Sequence, residues 1–202
     1  MSTVDSLLNE MEEYARINKV PIITGEGAKL LIETVNLHQP KSILEIGTAI
    51  GYSTILIGAN SPDAKIITIE IDEDRAIKAN SFLVQAGISN RVEIMVGDAA
   101  QVIPQITTKF DMVFIDAAKG QYLNYLVKTI DKLVDNAMVF TDNVLFRGMV
   151  EGENVTPRRY RTLVNRLREF LDYINHDTRF KTTIHRIGDG IAISIYQGAN
   201  RR

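Results

Sequence analysis

The stretch SILEIGTAIGYSTILIGA, residues 42–59, decides how the chain is read. A short run rich in Ile and Leu ends in a turn with two glycines, Gly47 and Gly51, and passes straight into an apolar stretch of helical length. This is the strand, tight turn and helix that opens many α/β sheets. Glycine lets the backbone approach a ligand closely, and a helix starting just beyond offers unpaired N–H groups. Working outward, further apolar runs follow: KIITIEI (65–71), RVEIMV (91–96), FDMVFID (110–116) and AMVFTD (137–142). They are rich in Ile and Val and lack clean polar alternation, as strands buried on both faces do.

The stretches between these runs predict helices over 52–60, 74–87, 99–107 and 120–133. Two more precede the first strand, at 3–18, where Val4, Leu7, Leu8 and Met11 fall at helical spacing, and at 25–37, with Pro21 between them. A last helix is predicted over 157–174, with Thr156 as N-cap, Pro157 at its first position, and Leu163, Leu167, Phe170, Leu171 and Ile174 as its apolar stripe. RFKTTIHRI (179–187) and GIAISIYQG (190–198) flank Gly188-Asp189-Gly190, the signature of an antiparallel hairpin. The expected fold class is α/β, a doubly wound, mostly parallel seven-stranded sheet closed by that C-terminal hairpin. With no repeat, low-complexity tract or linker, a single domain spanning 1–202 is expected.

The 202 residues, 45% hydrophobic and 24% charged, suit one domain with a sizeable core. The absence of cysteine excludes disulfides, thiolate metal sites and cysteine nucleophiles. No apolar run is long enough to span a bilayer, and the start, MSTVDSLLNEMEEYARINK, is amphipathic and acidic where a secretory leader would be basic and then apolar. A soluble cytoplasmic protein without a membrane partner is expected. The net charge of −2 hides an asymmetry: residues 1–142 carry 12 Lys/Arg against 19 Asp/Glu, and residues 143–202 carry 11 against 6. A solvated helix face is the ordinary explanation; an anionic partner of the C-terminal third is the other.

Chemistry concentrates after the fourth and fifth runs. FDMVFIDAAKGQY (110–122) supplies Asp116 and Lys119, and MVFTDNVLFRG (138–148) supplies Asp142 and Asn143. Two carboxylates and an amide oxygen suit a hard divalent cation, which makes a hydroxyl acidic enough for a neighbouring base to deprotonate. Singly, each aspartate reads as a helix cap and the lysine as a solvated side chain. Jointly, at strand ends where open sheets bind ligands, those readings become improbable. His38, His176 and His185 form no ligand cluster.

The glycine turn carries Glu45, Gly47 and Gly51, and the second run ends at Glu70, about 20 residues on, where a carboxylate accepts from ribose hydroxyls. Asp98 at the end of the third run can meet an adenine amino group, whereas Asp72 reads equally well as a helix N-cap. NAD and S-adenosylmethionine (SAM) both satisfy this pattern. The spacing differs from G-x-G-x-x-G, with Ala49 at the middle glycine position.

Taken together, LEIGTAIGYST, TIEID, GDA, FIDAAKGQY and TDNVLFRG resemble the cation-dependent O-methyltransferases of the catechol and caffeoyl-CoA type, over about Val20 to Tyr196. Within that family the chain is similar to the bacterial tRNA 5-hydroxyuridine methyltransferases, through VPI (20–22), an Arg-rich helix and GDGIAIS (188–194). The resemblance implies a Rossmann-like class I fold using SAM and Mg2+. It implies Asp116, Asp142 and Asn143 as metal ligands and Lys119 as general base. Ile23, Glu45, Gly47, Gly51, Ser53, Glu70, Asp98, Ala99 and Asp116 become its cofactor-binding positions. A homodimer is also expected, with an additional N-terminal lid or dimer helix of some relatives absent. Ala117 and Ala118 replace a bulky pocket residue of the catechol enzymes, which implies a roomier acceptor.

For the acceptor, Arg147 and the Arg-rich helix with Arg158, Arg159, Arg161, Arg166 and Arg168 point to phosphates, and Phe146, Tyr122 and Tyr160 could stack on a base or simply pack. Arg147, Arg158, Arg159 and Arg161 are the candidate substrate residues. The expected acceptor is the wobble 5-hydroxyuridine in a tRNA anticodon loop; a small catechol or hydroxycinnamoyl-type molecule is the alternative. A nicotinamide oxidoreductase has no use for the metal set, and a non-catalytic SAM-binding protein would bind without turnover.

Overall fold

The computed structural model describes residues 3–23, 25–152 and 154–198, and its contacts divide the chain into two compact units, Met1–Val102 and Ile103–Arg202. The first contains α1 (Thr3–Asn18), α2 (Gly25–His38), β1 (Ser42–Ile46), α3 (Tyr52–Asn60), β2 (Lys65–Glu70), α4 (Glu73–Gln85), β3 (Val92–Val96) and α5 (Ala99–Val102). Its strands lie parallel in the order β3-β2-β1, with Leu44 opposite Ile67 and Ile67 opposite Glu93. Ile43, Leu44 and Ile46 of β1 are fully enclosed, and each such side chain contributes about 1.5–3 kcal/mol. β3 departs from the expected two-sided burial: as the outer strand of this order it leaves Glu93 and Val96 exposed. In α1, Leu7 and Met11 are buried as their spacing implies, and Glu12 accepts from the Tyr52 hydroxyl at 2.5 Å, tying the helix to the start of α3.

Two predicted helices are shorter than expected. The stretch 99–107 is α5 followed by a 3-10 turn at Ile103–Gln105, because Pro104 supplies no N–H for an α ladder. α4 stops at Gln85 rather than 87, where Gly87 turns left-handed.

The second unit contains β4 (Phe110–Ile115), α6 (Tyr122–Thr129), β5 (Leu133–Thr141), α7 (Arg161–His176), β6 (Phe180–His185) and β7 (Ile191–Tyr196), with strand order β4-β5-β7-β6. β4 and β5 are parallel; β7 runs antiparallel to both β5 and β6, so the expected hairpin is present. β5 begins four residues before the predicted run, and left-handed Asn136 accompanies a register shift against β4. The predicted helix 120–133 is α6 between 3-10 turns at Lys119–Gln121 and Ile130–Lys132. Pro157 does not open a helix: it is extended, with ψ 149°, and precedes a 3-10 turn over Arg158–Tyr160, so α7 starts at Arg161. Thr156 therefore caps no α-helix.

Candidate functional site

Register brings the two aspartates together. Ile115 of β4 lies opposite Thr141 of β5, and the Asp142 N–H donates to the Ile115 carbonyl at 3.0 Å, so Asp116 and Asp142 leave neighbouring parallel strands side by side. Asp142 is buried. Burial first, and the Asp116 charge second, push its carboxyl up to about 7, against the opposing N–H of Asn143, which donates to Asp142 Oδ1 at 2.7 Å. Burial likewise raises Asp116, countered by Lys119, whose Nζ stands 3.8 Å from Asp116 Oδ1. Two adjacent carboxylates held above their ordinary range, with a single ammonium 3.8 Å from one of them, form a site that favours a cation.

The donor set can be tested against a divalent metal. Asp116, Asp142 and Asn143 offer hard oxygen donors, and Asn143 is the next residue along from Asp142, held left-handed at φ 56°, a conformation asparagine tolerates. The Tyr122 hydroxyl, on which the Asp116 and Asp142 charges act, is buried without a hydrogen-bond partner. Among the described residues no three His, Cys, Asp or Glu side chains converge on a metal position, so a third protein oxygen would come from the Asn143 amide. With that amide the residues fit the ion.

The segment after Asn143 is fixed by the β6 to β7 turn. Val144 N–H donates to Gly190 O, Leu145 and Phe146 N–H to Asp189 O, and Arg147 N–H to Asp189 Oδ1. These bonds hold Phe146, Arg147 and Gly148 in three successive left-handed conformations. Such strain, roughly 1–3 kcal/mol per non-glycine residue, persists only where neighbours over-determine it. It projects Arg147 over two rings, 5.5 Å from Phe146 and 5.7 Å from Tyr160, and these rings meet edge to face at 5.4 Å. Arg159 stacks 4.7 Å from Tyr160. Arg147, Arg158, Arg159 and Arg161 are exposed, and among the described residues none makes an ion pair.

Two other arginines of the helix are engaged differently from the expected phosphate contacts. Arg166 donates to Gly120 O at 3.1 Å, next to Lys119, and Arg168 donates to Met149 O and Val150 O at 3.0 and 2.8 Å. Both hold loops. Tyr122, at 1% exposed, cannot stack on an acceptor.

In the first unit, the glycine turn has Gly47 and Gly51 at φ 104° and 85°, with Ala49 also left-handed at 48°. Ala49 is stabilised there by Glu70, whose Oε2 accepts the Ala49 N–H at 2.7 Å while Oε1 accepts from Asp72 N–H at 3.0 Å. Each Glu70 oxygen keeps a lone pair for a ligand hydroxyl. Glu45 is enclosed: its carboxylate accepts from the Ser53, Thr54 and Thr68 hydroxyls at 2.6, 2.5 and 2.6 Å. Since Thr68 gives its proton to Glu45, Thr48 donates in the 2.6 Å Thr48–Thr68 contact. Glu45 and the Ser53 hydroxyl thus brace the turn from inside, and Ser53 also carries one of the N–H groups of the first turn of α3, which have no acceptor within the helix. Asp98 is exposed, with Oδ1 accepting from Ala100 N–H at 2.9 Å; Ala99 and Ile23 are buried. Asp72 caps α4 by accepting from Arg75 N–H at 3.1 Å, as the cap reading has it. The hydroxyls around Glu45 and the anchoring role of Asp189 had no sequence signal beyond their motifs, because their partners lie 8 to 42 residues away.

No helix among the described residues is long and apolar enough to cross a membrane. Comparison with known proteins extends over almost the whole chain. The family described as O-methyltransferase matches residues 3–196. A catechol O-methyltransferase from Niastella koreensis is 32% identical over 95% of this chain and 90% of its own length. The crystal structure of an O-methyltransferase from Bacillus cereus in complex with SAH superimposes with a TM-score of 0.84 at 26% identity, covering 95% of this chain and 90% of that one. That of TomG from Streptomyces achromogenes, an O-methyltransferase involved in tomaymycin synthesis and solved with SAM, gives 0.84 at 29%, again covering 95% and 90%. The seven strands make the mixed sheet of a Rossmann-like methyltransferase fold, with β5-β7-β6 as its antiparallel part. On this evidence of sequence and fold, the chain belongs to the O-methyltransferase family.

Proposed function

We propose that the protein transfers the methyl group of SAM to a hydroxyl that has a second oxygen beside it, with a divalent cation such as Mg2+ held by Asp116, Asp142 and Asn143. The observation that carries this reading is the register pairing that sets the Asp116 and Asp142 carboxylates next to one another, with Lys119 3.8 Å from Asp116. A bound dication would supply Lewis acidity to the acceptor hydroxyl and neutralise both carboxylates. Lys119, as the neutral amine, would take the hydroxyl proton and become the ammonium. The acceptor oxygen forms a bond to the methyl carbon, and the carbon–sulfur bond breaks with its electron pair remaining on sulfur. Glu70 and the glycine turn hold the nucleoside, and this positioning supplies much of the rate, since methyl transfer requires an aligned approach. The SAM- and SAH-bound neighbours support the donor.

A catechol-type or hydroxycinnamoyl-type small molecule is the acceptor that the relatives support best. A second reading, tRNA wobble 5-hydroxyuridine converted to 5-methoxyuridine, is favoured by one observation: Arg147, Arg158, Arg159 and Arg161 stand exposed without ion pairs among the described residues. A uracil with a 5-hydroxyl beside its 4-carbonyl presents adjacent oxygens, as a catechol does. Labelled SAM incubated with catechol, and with tRNA containing or lacking 5-hydroxyuridine, separates the two. Label is expected in at least one hydroxyl acceptor and absent from the Lys119→Ala protein. Binding of SAM with no transfer to any acceptor would instead identify a non-catalytic binder.

A further inference from the structure

Tyr122 opens α6 six residues after Asp116, and its ring packs edge to face on Phe170 at 5.8 Å. Its side chain is 1% exposed, yet its hydroxyl has no hydrogen-bond partner. Buried tyrosine hydroxyls nearly always find a partner, and phenylalanine would fill the same space without leaving a polar atom unsatisfied. The charges acting most strongly on this phenol are those of Asp116 and Asp142, which with burial hold its proton firmly. The hydroxyl is therefore a committed donor that feels the charge of two carboxylates and is bonded to neither. Carboxylates that ligate a metal are themselves usually held by hydrogen bonds from behind.

We propose that Tyr122 is a positioning residue of the cation site, whose hydroxyl donates to a carboxylate oxygen of the Asp116–Asp142 pair when a divalent cation is bound. This rests on the cation-assisted reading above and adds to it a residue whose function is metal affinity rather than proton transfer. Because the donor acts on the loaded site, removing it weakens the loaded state while relieving the metal-free one.

The test is titration of Mn2+ alone into wild-type, Tyr122→Phe and Asp142→Asn proteins by calorimetry, with Tm recorded with and without the ion. The expected result is Mn2+ binding to wild type, its loss in Asp142→Asn, and binding on the order of tenfold weaker in Tyr122→Phe. The metal-free Tm of Tyr122→Phe should equal or exceed that of wild type, while its Mn2+-induced rise in Tm should be smaller. Equal Mn2+ affinity in Tyr122→Phe and wild type overturns the inference and leaves the cation site standing. A lowered metal-free Tm in Tyr122→Phe would assign the hydroxyl a purely structural role and also overturn it. No Mn2+ binding by wild type overturns the cation reading and the inference with it.

Discussion

Gly190 lies so close to Leu145 that a β-carbon at position 190 would overlap the Leu145 side chain. The same glycine is left-handed, at φ 81°, and its carbonyl accepts the Val144 N–H at 2.9 Å. A turn between two C-terminal strands thus serves as the template on which the segment following Asn143 is laid.

Gly190→Ala should therefore disturb the segment after Asn143 along with the hairpin. Positive φ and overpacking each cost about 1–3 kcal/mol, enough to lower Tm by several degrees in a chain of this size. Methyl transfer should fall by more than the loss of folded protein accounts for, because the strained loop carrying Asn143 is displaced. Calorimetry beside a labelled-methyl assay checks this; unchanged Tm and rate would mean that Leu145 can move aside at no cost.

Asp142 makes stability depend on pH in an unusual direction. Its carboxyl is raised from 3.8 to about 7 in the folded protein, so between those values the folded state binds more protons than the unfolded one. Stability then falls as pH rises through this window, by roughly 4 kcal/mol if the whole shift is expressed. Metal-free protein should melt higher at pH 5.5 than at pH 8, Asp142→Asn should flatten the dependence, and Mn2+ affinity should rise with pH as its ligands deprotonate. The check is a series of metal-free melts across pH; a Tm that climbs from pH 5.5 to 8 would contradict the assignment.

The strand-end aspartates were legible in the sequence because each follows an apolar run, and run, turn and polar residue are all local. The hairpin was legible for the same reason, through Gly188-Asp189-Gly190. What could not be read depends on partners remote in the chain. Arg166 and Arg168 look like Arg158 and Arg161 in sequence, but the side on which they leave α7 lets them reach Gly120, Met149 and Val150. Pro157 looked like a helix start because its φ suits one, while its ψ of 149° is set by context. Glu45 read as a ligand contact because the motif places it there, yet Thr68, 23 residues on, closes it in.

Glu45→Gln tests that enclosure. The glutamine NH2 would face hydroxyls that now donate to a carboxylate oxygen, leaving donors opposed in a closed space. A loss of about 1–3 kcal/mol is expected from the stranded polar groups, with weaker SAM binding as the glycine turn relaxes. Equilibrium urea unfolding and SAM titration measure the two effects, and an unaltered unfolding midpoint would mean that the network rearranges freely.

The arginines separate by role, and so should their variants. Arg168 donates to two loop carbonyls, so Arg168→Ala should lower Tm whatever the acceptor is. Arg158 and Arg161 are exposed and, among the described residues, without ion pairs, so Arg158→Ala and Arg161→Ala should leave Tm within the small range of ordinary surface changes. Their effect should appear only with a polyanionic acceptor. Each phosphate contact adds about 0.7 to the slope of log affinity against log salt for single-stranded nucleic acid, so the double variant should bind hydroxylated tRNA with a slope lower by about 1.4. Methylation of catechol by the same variant should be unchanged, since a neutral acceptor has no phosphate for these side chains. An identical salt slope in wild type and the double variant would exclude Arg158 and Arg161 from RNA contact and leave the small-molecule acceptor as the better-supported substrate.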